Sequence, residues 1–153
     1  MEKVYEKKIA FFHADVKDSK EALKLLADRF VEDGLADEDF YEQLLKRESD
    51  YPTGIVLNAL NVALPHCDTS VSKSSQVGFM SLKEPVEFVE MGSDDKKIKV
   101  SLIFMFTMTE TKDQLDMMMK FMETFKNDEL MDRFMKVNDF EEYCRLIEEA
   151  DLI

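Results

Sequence analysis

The sequence predicts an α/β fold, a mixed β-sheet sandwiched by helices, and three features predict it. Apolar residues recur at helical spacing near both ends of the 153-residue chain. Between them lies a middle rich in β-branched and aromatic residues, punctuated by turn formers. One run there, Val100, Leu102, Ile103, Phe104, Met105, Phe106, is nearly continuous, as in a central strand covered on both faces. No linker and no internal repeat interrupts the pattern. The length suits a single domain over 1–153 with enough core to fold unaided.

Ile9, Ala10, Phe11 and Phe12 begin a first strand, and His13 follows as an ordinary, partly exposed residue with no second ligand near it in sequence. Ser19 is placed to cap a helix whose Ala22, Leu23, Leu26 and Phe30 fall on one face. Gly34 supplies the left-handed stop. Asp37 is read as the cap of a second helix to about Glu48, with Phe40, Leu44 and Leu45 inward and Lys46 and Arg47 in its last turn. Tyr51-Pro52-Thr53-Gly54 breaks the pattern. Strands are then expected over Val77–Leu82, Val86–Val89 and Ile98–Met108, with turns at Lys83–Pro85 and Gly92–Asp95. In the helix that follows, Leu115, Met118, Met119, Met122 and Phe125 share a side. This methionine stripe resembles a binding groove, but charges on the opposite face favour a core reading. Two last helices are expected over Glu129–Val137 and Asp139–Ala150.

One stretch stands apart: Asn61-Val62-Ala63-Leu64-Pro65-His66-Cys67-Asp68-Thr69. Proline biases its neighbour toward extended geometry, so the apolar run reads as a strand that stops and leaves His66 at its end. An imidazole there is well placed for nucleophilic or acid–base chemistry at neutral pH, its reference pKa being about 6.5. A turn histidine that satisfies local hydrogen bonds is an equally open reading of this spacing. Cys67 is its neighbour, but adjacent residues on an extended chain point to opposite faces, which opposes a cysteine–histidine pair. Arg47 is either a solvated cation at a helix end or a planar fork for an anion such as phosphate.

Composition removes several classes. Acids outnumber bases 33 to 20, a net charge of −13, which opposes sequence-independent nucleic-acid binding and suits a basic protein partner. The four glycines form no nucleotide-cradling loop, and the two cysteines form no zinc pattern with either histidine. No serine sits in a nucleophile elbow, and Asp94 and Asp95 read as turn residues. No apolar run reaches membrane-spanning length, and two cysteines with eleven methionines suit a reducing, cytoplasmic setting. Neither cofactor nor metal is expected.

Arg47-Glu48, then Pro52-Thr53-Gly54, then Val62 to His66, with Leu82, Pro85, Val86 and Phe88 beyond, resemble the signature of phosphotransferase-system (PTS) enzyme IIA domains of the fructose–mannitol type. Tyr51-Pro52-Thr53-Gly54, Pro65-His66-Cys67 and Met91-Gly92 resemble the galactitol branch most. The resemblance spans about residues 5–150 and implies a phosphoryl carrier. Members accept a phosphoryl group from the protein HPr on a histidine, matched here by His66. They hand it to a cysteine of a cognate IIB protein, which feeds the membrane subunit IIC. Arg47 matches the arginine beside the phosphoryl group, and Thr53 is a further hydrogen-bond donor. Gln114 stands where mannitol and fructose members carry a second histidine, and its amide retains a donor but not an ionisable ring. The alternatives are a regulatory domain of the same family, controlled by phosphorylation, and a binding module in which His66 is structural. Because a phosphoryl group brings about two more negative charges, the site is expected to carry an apolar or positive rim. Val56, Leu57, Leu60, Phe104 and Phe106 are its candidates.

Overall fold

A computed structural model describes residues 9–152. Five strands form one mixed sheet in the order β1-β4-β5-β3-β2: β1 (Ile9–Ala14), β2 (Gly54–Val56), β3 (Asn61–Ala63), β4 (Gln76–Val89) and β5 (Lys97–Thr107). β1 runs parallel to β4 and β3 parallel to β5, while the β4/β5 and β2/β3 pairs are antiparallel. α1 (Ser19–Glu32) and α2 (Phe40–Asp50) cover one face, and α3 (Thr111–Thr124), α4 (Asp128–Lys136) and α5 (Phe140–Glu149) the other. Alternation along β5 makes both cores at once. Ile103 and Met105 face α1 and α2, while Leu102, Phe104 and Phe106 join the aromatic cluster under the other helices. This is the sandwich expected of the sequence.

α1 closes in a Schellman arrangement: Gly34 has φ +75°, its amide reaches the Val31 carbonyl, and the Leu35 amide reaches Phe30 at 2.9 Å. Its start differs from expectation by one residue. Asp18, not Ser19, is the N-cap, its carboxylate accepting from the Glu21 amide at 2.9 Å; an anion also suits the positive end of the helix dipole. Asp37 does not cap α2 either. It opens a turn, with the Phe40 amide on its carbonyl, and α2 starts after Asp39.

The turn expected at Lys83–Pro85 is absent, because β4 runs unbroken past it. Between the pairs Ser81↔Leu102 and Val86↔Val100 the register slips, and exposed Lys83, Glu84 and Pro85 bulge from the ladder. A proline has no N–H to give the ladder, and a bulge is where a strand tolerates one. The methionine stripe is the larger correction. Of the expected stripe, Phe125 is buried and Met118 half-buried, but Leu115, Met119 and Met122 are 61%, 65% and 40% exposed, and α3 buries Met117, Phe121 and Thr124 instead. Two overlapping rows at helical spacing run through this methionine-rich segment, and the row carrying Phe121 wins the core. Phe121 packs on Phe104, Phe106 and Phe125.

Candidate functional site

Beyond β3 the chain passes Pro65 and makes one more parallel bridge to β5, His66 to Phe106. The imidazole lies nearly flat on the Phe106 ring, 4.9 Å between centroids and 17° between planes. Its Nδ1 is 2.8 Å from the Leu64 carbonyl oxygen. A carbonyl only accepts, so Nδ1 carries the proton and Nε2 keeps the lone pair. His66 is 5% exposed. Arg47 Nε, Gln114 Oε1 and Tyr143 Oη are the wholly buried side-chain nitrogens and oxygens without a hydrogen bond among the described residues. Nε2 is not one of them, and no described residue bonds to it. The ring is therefore packed on its face and pinned at one nitrogen, with the other bonded to no described residue. Burial lowers its pKa from the usual 6.5; the Leu64 bond pushes back upward, Arg47 lowers it further and Asp68 raises it. The resting ring is neutral near pH 7, the state a nucleophile needs.

Arg47, in the last turn of α2, points its Nη1 at Asp68 Oδ1, 3.2 Å away, and its guanidinium lies over the Tyr51 ring at 4.6 Å. Its Nε is buried and unpaired, so one donor of the fork is uncommitted. Arg47, Tyr51, Cys67 and Asp68 line one small cleft of about 170 Å³. The Cys67 thiol is buried, and that burial pushes its pKa up to about 12, so it stays protonated and unreactive.

Thr53 is buried at the open end of the β2/β3 hairpin, one pair beyond Gly54↔Ala63 and hence opposite Leu64. Its hydroxyl donates to Glu48 Oε1 at 2.7 Å and accepts from the Leu64 amide at 3.2 Å; its own amide donates to Glu48 Oε2 at 2.8 Å. Burial raises the Glu48 carboxyl from 4.5 to about 7, against the two Thr53 bonds that lower it. Gln114 lies in the first turn of α3, just past the end of β5 that carries the His66 bridge. It makes no hydrogen bond to His66, and its buried Oε1 has no partner.

The expected rim is partly misplaced. Phe104 and Phe106 are core, buried because both faces of β5 are covered. Val56 is 51% exposed, Leu57 and Leu60 are half-buried, and the other exposed apolar row is that of α3. Met122 and Val56 border one shallow cleft, which joins the α3 row to the β2–β3 connection. Sequence reasoning missed Glu48 and Asp68 as members of the site; the signal for Glu48 was its place beside Arg47, five positions before Thr53. Among the described residues no group of three or more His, Cys, Asp or Glu is placed to hold a metal ion, and no helix is long and apolar enough to cross a membrane.

The residues matched by the family described as "Phosphoenolpyruvate-dependent sugar phosphotransferase system, EIIA 2" are 3–150. The chain belongs to that family. The galactitol-specific EIIA component of the PTS system of Escherichia coli (strain K12) is 28% identical over 101 residues, 66% of this chain and 67% of that one. The crystal structure of the nitrogen regulatory protein IIA-Ntr from Neisseria meningitidis superposes with a TM-score of 0.72 at 26% identity, over 90% of this chain and 92% of that one. Enzyme IIAMtl of Escherichia coli, in its complex with phosphorylated enzyme IIBMtl, gives a TM-score of 0.72 at 17% identity, over 92% and 94%; that likeness is one of fold. EIIA domains are components of a phosphotransferase, so the sandwich and the family expected of the sequence are both borne out.

Proposed function

We propose that this EIIA domain carries a phosphoryl group on His66 between HPr and a cognate IIB protein in the uptake of galactitol or a related polyol or hexose. The observation that carries the reading is the state of the ring: neutral, with Nδ1 pinned to Leu64 and Nε2 bonded to none of the described residues. The Nε2 lone pair attacks phosphorus while the bond to the HPr imidazole breaks, and the Leu64 carbonyl stabilises the positive charge that develops on the ring. A thiolate of IIB then attacks the same phosphorus, and the electron pair of the N–P bond returns to Nε2. Such transfer needs alignment and neutralised charge more than covalent help from its surroundings. Arg47 supplies the charge, turning its fork from Asp68 toward the phosphoryl oxygens, and the Gln114 amide is a second candidate donor. The exposed apolar row of Leu115, Met119 and Met122, with Val56, offers apolar surface for docking between charged neighbours such as Lys126. The galactitol-type relative supports the sugar class.

The test is incubation with phosphoenolpyruvate, enzyme I and HPr. One acid-labile phosphate is expected, located on His66 by mass spectrometry and absent from His66→Gln. Phosphate on another side chain, or none, would sink the proposal. The likeness to a nitrogen regulatory IIA favours a second reading, a phosphorylation-controlled regulator. Onward transfer to a IIB cysteine separates the two, because a pure regulator retains its phosphate.

A further inference from the structure

We infer that Thr53 and Glu48 are positioning residues for the His66 imidazole, acting through the backbone of Leu64. The inference deepens the carrier reading and rests on it for its functional meaning. Four hydrogen bonds run in series. Glu48 receives both the amide and the hydroxyl of Thr53, at 2.8 and 2.7 Å. The Thr53 hydroxyl receives the Leu64 amide at 3.2 Å, and the Leu64 carbonyl receives His66 Nδ1–H at 2.8 Å. Thr53 and Leu64 are buried and Glu48 half-buried, so the Thr53 hydroxyl and the Leu64 amide and carbonyl lack bulk water as a substitute partner.

The place of the bonds in the fold matters as much as their lengths. The β2/β3 ladder ends at Gly54↔Ala63, and Pro65 supplies no N–H to continue it. The turn that aims His66 thus starts where regular pairing stops, and a side-chain hydroxyl takes over from the ladder. Threonine suits the post because one oxygen can donate to a carboxylate while accepting an amide. In this structure the hydrogen of the Thr53 hydroxyl is committed to Glu48. Glu48 is anchored on the rigid end of α2, one residue from Arg47. A single helical turn therefore holds both the cation and, at one remove, the tautomer of the nucleophile.

The experiment follows His66 by ¹H–¹⁵N NMR in the unphosphorylated protein and measures phosphorylation by phospho-HPr in the same variants. Thr53→Val keeps the shape and removes the hydroxyl. It is expected to shift the Nδ1–H/Nε2 tautomer signature and titration midpoint of His66, and to slow phosphorylation about tenfold, the loss that one buried hydrogen bond accounts for. Thr53→Ser, which keeps the hydroxyl, is expected to restore both. Glu48→Gln turns an NH2 group against one Thr53 donor and should give a partial effect, roughly threefold. It also serves if Thr53→Val fails to fold. A role confined to closing the hairpin would lower Tm and leave the His66 signature where it is in the unaltered protein; that result, in either variant, overturns the inference. The carrier reading fails separately, if the unaltered protein takes no phosphate on His66 while the NMR signature still moves.

Discussion

At the scale of single residues the site turns on which proton His66 holds. Its pKa is lowered chiefly by burial, so the folded ring binds a proton more weakly than the unfolded one. That contribution to stability is present above about pH 6.5 and is lost as pH falls through the lower folded value. Glu48 works the other way: raised from 4.5 to about 7, its contribution is whole below 4.5 and is lost as pH rises through about 7. In the carrier reading the imidazole decides whether the nucleophile exists, and Glu48 only how firmly it is held. An NMR titration of His66 is expected to give a midpoint below 6.5, and the phosphorylation rate is expected to fall by no more than about threefold from pH 8 to pH 6.5, the effect assigned to neutralising Glu48. A midpoint at or above the ordinary histidine value would show that the ring is not desolvated as its stacking on Phe106 implies.

At the scale of elements, α3 divides its duties between two faces, and substitution separates them. Met117→Ala empties a core site and is expected to cost about 2–5 kcal/mol of stability in denaturant melts. Met119→Ser and Leu115→Ser lie on the exposed row and should change stability by less than about 0.5 kcal/mol. The same two changes should weaken transfer from HPr or to IIB, since they alter the docking surface alone. Unchanged transfer in the double variant would remove α3 from that surface. The choice of face was not legible in the sequence, because Leu115, Met118, Met119 and Met122 match helical spacing as well as Met117 and Phe121 do. Only the aromatic neighbours of Phe121, drawn from β5, break the tie. The strand bulge at Pro85 was hidden for a similar reason: a proline between apolar runs reads as a turn unless the partner strand is known to continue. What could be read was local. Gly34, the continuous run in β5 and Pro65-His66 each state their geometry in a few residues, and the structure keeps all of them. The bonds from Glu48 to Leu64 cross from α2 to a hairpin, and no local pattern shows them.

At the scale of the whole molecule, a net charge of −13 surrounds a site that, in the carrier reading, receives a further anion. On that reading the arrangement is tolerable where docking uses exposed apolar side chains such as Leu115, Met119, Met122 and Val56, and where Arg47 offsets the phosphoryl charge locally. Surface acids act on a partner over a screening distance of about 8–10 Å at physiological salt, so they set how fast a basic protein arrives. Apolar contact sets how long it stays, because burial of such surface is insensitive to moderate salt. The two terms are therefore expected to separate in stopped-flow measurements with phospho-HPr. Raising salt from about 0.05 to 0.5 M should slow association roughly tenfold while dissociation changes less than about twofold. Dissociation that quickens with salt while association holds steady would place the charges inside the interface. The apolar row on α3 would then have to be read as surface that no transfer partner covers.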